Sequence, residues 1–229
     1  TVAVTVAPQL VESARRVRIA LPLERAALAE EVERAIAESG LVAQSSSSSG
    51  GSSSGECYVR ITVTRGVGAL GLDPGNARAP LRVLLVGPLA PPAAEKYARG
   101  IRVVSFATSR VQDGTGASGA KVGNYLVAVL AMEKARAHDA DEAFIVDAEG
   151  RVLEGSTSNL FWFEGDRLLT PGDDSGVLLG ITRAHVLTAA EQAGFTSEDR
   201  TSVLAELAAA YEIFISSIIR EIFPVVNVE

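Results

Sequence analysis

Lys121 is placed where its side-chain amine could react. It follows a run of small residues (GTGASGA) and precedes an apolar segment that begins at Leu126. Partial burial at such a position disfavours the charged ammonium and favours the neutral amine, the form that attacks a carbonyl carbon to make an imine. The position therefore predicts imine chemistry, although an ordinary solvated lysine fits the same local pattern.

A second segment supplies a carboxylate beside small hydroxyl residues. Glu154 opens the run EGSTSNLF, which follows a strand pattern and includes Ser158. A carboxylate opposite a pyridine nitrogen keeps that nitrogen protonated, so that the ring can accept electrons from a substrate. Small side chains leave room for a flat ring, although a loop with ordinary hydroxyl capping has the same composition.

Two further segments could hold a phosphate group. Gly180 precedes a helical pattern, so the N–H groups of Ile181 and Thr182 and the Thr182 hydroxyl would suit an anion at the helix N-terminus. Ser216 and Ser217 follow an apolar strand pattern and could add hydroxyl donors. Taken singly, the two segments are also typical of a simple helix cap and of a buried strand end.

In this order, the four segments resemble the class IV aminotransferases, which are the fold-type IV pyridoxal phosphate enzymes. That family includes branched-chain aminotransferases, D-amino acid aminotransferases and aminodeoxychorismate lyases. The resemblance extends from Val11 to the C-terminus and is dense over 120–225. Its most specific parts are EGSTSNLF and LGITR, with Lys121 upstream of both.

The resemblance implies pyridoxal 5′-phosphate as cofactor and assigns the residues around it. Lys121 would form a Schiff base with the cofactor and later move the substrate α-proton. Glu154 would pair with the pyridine nitrogen. The other residues placed around the cofactor are Tyr125, near its phenolic oxygen, Ser158, and, at its phosphate, Ile181, Thr182 and Ser217.

The implied activity is ping-pong transamination between an amino acid, branched-chain-like or of broad specificity, and a 2-keto acid. Tyr58 and Arg60, in CYVRIT, match the substrate-lining strand of the branched-chain enzymes, and Arg60 could pair with a substrate carboxylate. The D-amino acid enzymes carry a carboxylate trap after the segment matching 64–66, where this chain has VGALG. A 4-amino-4-deoxychorismate lyase, a D-amino acid or (R)-amine transaminase, and an inactive scaffold without the cofactor are the alternatives.

Two positions depart from the family pattern. Gln9 stands where the family usually carries an arginine for the cofactor phosphate, and Ile218 lies where some relatives carry a hydroxyl. Loss of the arginine removes a charge-assisted phosphate contact. These departures predict weaker cofactor binding and are the reason for the inactive-scaffold alternative.

The resemblance also implies the fold, an α+β protein of two domains. A smaller N-terminal α/β domain would cover 1–112, a linker 113–119, and a larger cofactor-binding domain with antiparallel strands and helices 120–229. The serine–glycine run at 45–55 cannot bury apolar surface and is predicted to be a flexible linker. Family members begin earlier and continue further, so both ends of the chain are expected to be truncated.

Local patterns predict the individual elements. Helical spacing of apolar residues favours helices at 11–19, 24–39, 126–138, 181–193 and 202–210. Alternating or continuous apolar runs between turn residues favour strands at 58–64, 81–86, 101–107, 143–146, 151–153, 159–163, 167–169 and 212–216.

Composition limits the partners. The net charge of −7 argues against a general nucleic-acid binder, because phosphate neutralisation needs clustered lysine and arginine. The single cysteine, Cys57, allows no intrachain disulfide and makes a cysteine-based metal site implausible. No apolar run approaches the roughly 18 residues of a transmembrane helix. The expectation is a cytoplasmic protein that binds small-molecule substrates but no metal, nucleic acid or membrane. The family resemblance implies that it works as a homodimer.

Overall fold

The computed structural model describes residues 7–21, 24–41, 56–109, 117–207 and 209–229. The chain divides into two compact units, Thr1–Ala90 and Pro91–Glu229. The serine–glycine run at 45–55 and most of the predicted linker at 113–119 lie outside the described residues.

The first unit combines helices with a β-hairpin. Its elements are helices α1 (Ala7–Arg16) and α2 (Arg25–Ser39), strands β1 (Cys57–Thr64) and β2 (Leu81–Pro88), and a short 3₁₀ helix (Pro74–Asn76). The two strands pair antiparallel, with Thr64 opposite Leu81. Successive side chains of β1 point to opposite faces, and the exposed face carries Tyr58 and Arg60.

Helix α2 contacts the hairpin through one apolar stripe. Leu28 and Val32 are its buried residues, and their spacing of one helical turn puts them on the same face. Gly40 ends the helix with φ 68°, a left-handed conformation that glycine adopts without strain. The Glu31 carboxylate accepts hydrogen bonds from the Arg82 guanidinium of β2, and these bonds lower the pKa of Glu31.

The second unit is built on one mixed sheet, to which its described residues contribute nine strands. These are β3 (Ile101–Ala107), β4 (Glu142–Val146), β5 (Arg151–Gly155), β6 (Asn159–Glu164), β7 (Arg167–Thr170), β8 (Thr196–Asp199), β9 (Ser202–Val203), β10 (Glu212–Ser217) and β11 (Glu221–Val228). Their order across the sheet is β8-β7-β6-β10-β11-β3-β4-β5-β9. Its helices are α3 (Ala94–Arg99), α4 (Leu126–Ala137), α5 (Ile181–Gln192) and α6 (Leu204–Leu207), with a 3₁₀ turn at Asp173–Ser175. The parallel pairs are β11 with β3, β3 with β4, and β7 with β8, and the other neighbours are antiparallel.

Strand β4 lies at the centre of the core, with both of its faces covered. Phe144 and Val146 join the larger apolar cluster on one face, while the alternate residues of β4 pack against helix α4 on the other. The helix makes this contact with Ala131 and Ala135, two fully buried residues one turn apart. Such small side chains let the helix backbone approach the sheet closely.

Helix α5 covers the region where β6, β7 and β10 lie side by side. Val186 and Ala190 pack on Leu168 and on two phenylalanines, Phe161 of β6 and Phe214 of β10. The two rings stack with centroids 5.0 Å apart and planes inclined by 3°. This packing fixes α5 against the two strands that begin and end at the candidate site.

The predicted elements are largely confirmed. Every predicted helix or strand overlaps an observed element of the same type, and the mixture of helices and sheet is the predicted α+β class. The helix at 202–210 is wrong at its start, because Ser202 and Val203 form β9 and pair with β5. Strands β8 and β11 and helix α3 have no counterpart among the predicted elements.

The two units also differ from the predicted domain ranges. Strand β3, which a boundary at 112 assigns to the N-terminal domain, pairs with β4 and β11 in the sheet of the second unit. Both pairings are parallel and join segments far apart in the chain, so no local pattern marks them. The unit boundary of the structure lies at Ala90 and Pro91.

Candidate active site

The Glu154 carboxylate joins two of the four predicted segments. Glu154 is half-buried near the end of β5 and accepts a hydrogen bond of 3.1 Å from the backbone N–H of Leu178. Leu178 belongs to the loop that leads into helix α5. The contact therefore connects EGSTSNLF with the residue directly before LGITR, as a shared site requires.

Asn159 strengthens the same connection. Its buried side-chain amide donates to the Leu178 carbonyl at 2.6 Å, and its Oδ1 accepts from the Gly180 N–H at 3.2 Å. A Cβ atom on residue 180 would lie only 2.3 Å from Oδ1, so this approach requires Gly180. Its place in the motif gives Asn159 no role by itself, yet its side chain fixes the start of α5.

The N-terminus of α5 offers backbone donors. Gly180 is the N-cap, with no side-chain hydrogen bond to the helix, and the first turn contains no acidic residue. The N–H groups of Ile181 and Thr182 have no intrahelical acceptor, because the first turn of any helix lacks one. Arg183, the third residue of the helix, is buried and donates to the Pro171 carbonyl and to Asp199 at 2.6 Å. These contacts hold the helix end in place.

Ser216 and Ser217 reach the same edge of the sheet by strand pairing. Strand β10 runs antiparallel to β6, with Ser216 directly opposite Asn159. Ser216 is 1% exposed, and its hydroxyl is one of two buried side-chain groups without a hydrogen-bond partner among the described residues. Ser217 is half-buried, and its hydroxyl accepts from the Arg220 N–H at 3.3 Å. The structure therefore brings Glu154, Ser158, the α5 N-terminus and Ser217 into one region.

Glu142 and Arg220 are functional candidates that the sequence analysis did not select. Glu142 opens the buried strand β4, is fully buried, and accepts hydrogen bonds from the turn that contains Ser158. Arg220, in the turn after β10, donates to the same carboxylate. An acidic residue at the first position of an apolar strand is the only sequence sign of this arrangement.

Lys121 and Tyr125 lie in the segment that enters helix α4. Both residues are exposed. Tyr125 occupies the N-cap position of α4 and accepts a backbone hydrogen bond from Val129. Their assignments to the cofactor stay predictions.

Tyr58 and Arg60 share the exposed face of β1 in the first unit. They lie two residues apart, opposite Gly87 and Leu85 of β2, so one side of the hairpin presents both. Gln9, the departure from the family pattern, is half-buried in α1. The substrate roles of Tyr58 and Arg60 stay predictions.

An ion pair between Asp147 and Arg151 lies in the hairpin between β4 and β5. The buried Asp147 carboxylate accepts from the Arg151 N–H at 2.8 Å and from the Arg151 guanidinium at 2.7 Å. Burial raises the pKa of Asp147, but these hydrogen bonds together lower it more, so the pKa lies below its ordinary value. Asp147 is therefore a structural carboxylate that stays ionised at neutral pH.

The described residues contain no group of three or more histidine, cysteine, aspartate or glutamate side chains that could hold a metal ion. Across the same ranges, none of the helices combines the length and the apolar character that a bilayer crossing requires.

In this fold a carboxylate, a helix N-terminus and strand-end hydroxyl groups meet at one edge of the sheet. Residues 9–228 match the family model described as amino-transferase class IV. The chain belongs to that family.

Individual relatives support the assignment. A putative branched-chain-amino-acid aminotransferase of Methanocaldococcus jannaschii is 35% identical over 174 residues, which are 76% of this chain and 59% of that protein. The chain thus spans less than two thirds of that relative. A branched-chain amino acid aminotransferase solved with pyridoxamine 5′-phosphate superposes with a TM-score of 0.81 at 27% identity, over 96% of this chain and 68% of that one.

A second solved structure shows the same fold. The putative 4-amino-4-deoxychorismate lyase of Legionella pneumophila superposes with a TM-score of 0.83 over 97% of this chain and 75% of that chain. Its identity of 21% makes this a likeness of fold.

Proposed function

We propose that this chain is a pyridoxal 5′-phosphate-dependent aminotransferase that moves an amino group between an amino acid and a 2-keto acid. The observation that carries the proposal is the hydrogen bond from the Leu178 N–H to Glu154, which puts the carboxylate beside the start of α5. The two relatives named as branched-chain aminotransferases favour a branched-chain-like or broad substrate range.

The described residues fit such a cofactor. A helix N-terminus without an acidic residue in its first turn accommodates a phosphate, and the hydroxyl of Ser216 is a buried polar group without a partner among the described residues. The absence of a side chain at Gly180 lets Asn159 Oδ1 approach the start of α5. When bound, the cofactor would supply the electron sink for the carbanion chemistry of the amino acid.

Each proposed role follows from the chemistry of the side chain. Glu154 would hold a proton on the ring nitrogen, and the N–H groups of Ile181 and Thr182 would bind the phosphate together with the Ser217 hydroxyl. The Nζ atom of Lys121 would link the cofactor to the chain and, once released, carry a proton from the substrate Cα.

The remaining residues would orient the ring and the substrate. Tyr125 would contact the phenolic oxygen, and Ser158 would lie beside the ring. Tyr58 and Arg60 would line the substrate site, where the Arg60 guanidinium suits a carboxylate. The proposal includes a homodimer in the cytoplasm, which sedimentation and cell fractionation would test.

The decisive experiment is a visible absorption spectrum after incubation with pyridoxal 5′-phosphate and removal of the excess. The wild type should gain an imine band that borohydride abolishes, and Lys121→Ala should not. Lys134→Ala is the matched control, because Lys134 is another exposed lysine, on α4. The absence of a band in the wild type, or its persistence in Lys121→Ala, would refute the assignment and leave the inactive scaffold.

Substrate assays would then separate the activities. Conversion of L-leucine or L-valine with 2-oxoglutarate supports the branched-chain-like reaction. Release of pyruvate from 4-amino-4-deoxychorismate would instead identify a lyase, and turnover of D-amino acids or (R)-amines would identify those transaminases.

A further inference from the structure

The Glu142 carboxyl group is entirely enclosed by the second unit. Its side chain is 0% exposed. Oε1 accepts from the backbone N–H groups of Ala143 at 2.9 Å and Ser156 at 3.2 Å, and from the Ser156 hydroxyl. Oε2 accepts from the hydroxyl groups of Thr157 at 2.7 Å and Ser158 at 3.3 Å. A buried carboxylate is tolerated when its lone pairs are satisfied in this way.

These bonds decide which way three hydroxyl groups point. Each serine or threonine hydroxyl has one hydrogen, and those of Ser156, Thr157 and Ser158 are donated to Glu142. What these three hydroxyl groups can offer a ligand is therefore oxygen lone pairs. Ser158 would accept a hydrogen bond from a cofactor or substrate rather than donate one.

Arg220 connects this turn with a second one. Its guanidinium donates to Glu142 Oε2 and supplies the positive charge that faces the buried carboxylate. Its backbone N–H donates to the Ser217 hydroxyl. Since Ser217 accepts that bond, its own hydrogen can be donated to another group, which is the opposite polarity to Ser158.

We propose that Glu142 and Arg220 are a positioning pair that locks the turns 156–158 and 217–220 together and sets the polarity of their hydroxyl groups. On the proposed function, on which this inference rests, Ser217 becomes a donor suited to the cofactor phosphate and Ser158 an acceptor beside the ring. Neither Glu142 nor Arg220 is required to touch the cofactor.

The test compares Arg220→Met with Arg200→Met. Arg200 is a matched control, because it is also half-buried and pairs with one glutamate, Glu164, at 2.8 Å. The first measurement is amide hydrogen exchange in the chain without cofactor. Arg220→Met should accelerate exchange in peptides covering 154–160 and 214–222 by about tenfold, and Arg200→Met should leave both unchanged.

The second measurement is the pyridoxal 5′-phosphate titration. Arg220→Met should raise the dissociation constant about tenfold and shift the visible band. The reason is that the variant loses one or two hydrogen bonds of ordinary strength that the wild type makes. Arg220→Lys, which keeps the charge, should recover most of the affinity and the wild-type band. Glu142→Gln should behave like Arg220→Met.

The outcomes are distinct from those that test the proposed function. Unchanged exchange in Arg220→Met overturns the pair, as does faster exchange with unaltered affinity and band, which would make the pair purely structural. If the wild type itself acquires no band, the proposed function fails. The pair is then decided by exchange alone, where acceleration of both turns supports it and acceleration of one or neither overturns it.

Discussion

Replacing Gly180 by alanine should destabilise the second unit, because the new methyl group would collide with the side chain of Asn159. The backbone at Gly180 has φ −69° and ψ 152°, which alanine adopts readily, so no backbone strain arises. The obstacle is Asn159, whose Oδ1 would lie 2.3 Å from the new Cβ. The side chain must move, and its hydrogen bonds to Leu178 and Gly180 would be lost.

The expected magnitude follows from those two bonds. Each contributes about 0.5–1.5 kcal/mol net, so their loss costs about 2 kcal/mol. Alanine also restricts the unfolded chain and returns about 0.4–1 kcal/mol. Gly180→Ala should therefore lower the free energy of unfolding by about 1–1.5 kcal/mol. In an Asn159→Ala background the obstacle is absent, and the same change should be neutral or slightly stabilising.

Urea denaturation followed by tryptophan fluorescence measures this double-mutant cycle. The only tryptophan, Trp162, is 1% exposed in the second unit, so its emission reports that unit. Gly123→Ala is the control, because a Cβ there meets nothing within 4 Å. Equal costs of Gly180→Ala in both backgrounds would refute the argument, since the cost would then not come from Asn159.

Three further predictions concern other parts of the chain. Asp147→Asn should lower the stability of the second unit at neutral pH, and the difference from the wild type should shrink as pH falls below about 3.9 in denaturant titrations. The sign follows from the lowered pKa of Asp147, whose contribution is present above its unfolded pKa and is lost on protonation. Phe161→Ala should cost about 3–5 kcal/mol in urea denaturation, because it empties a buried site stacked on Phe214. Arg65→Met should accelerate amide exchange in the segment that follows α1, since its guanidinium donates to the backbone carbonyls of Val17 and Arg18.

The sequence predicted most elements because their patterns are local. Strand β11 was not predicted, because Pro224 interrupts its apolar run and a proline inside such a run argues against a central strand. In the structure, Pro224 lies where the strand changes neighbours, since β11 pairs with β10 up to this residue and with β3 from Val225 onward. The ladder therefore loses little by the missing N–H.

The residues of the candidate site likewise fall into those that local sequence predicts and those that it does not. Glu154 and the α5 N-terminus were predicted because the chemistry resides in their own residue types. Glu142 and Arg220 were not, because their contact spans 78 positions and joins two turns that only the folded sheet brings together.

The contacts that hold the site are side chains reaching into loops, and this couples site geometry to stability. Glu154 and Asn159 fix the loop before α5, while Glu142 fixes the turn after β5. Loss of any one leaves buried polar groups without partners, which costs stability whether or not a ligand is present. Because a ligand stabilises only the form that binds it, the same losses should reduce the stabilisation that added pyridoxal 5′-phosphate confers. Variants that weaken the second unit without touching these loops should keep that stabilisation, so the two kinds of change can be told apart.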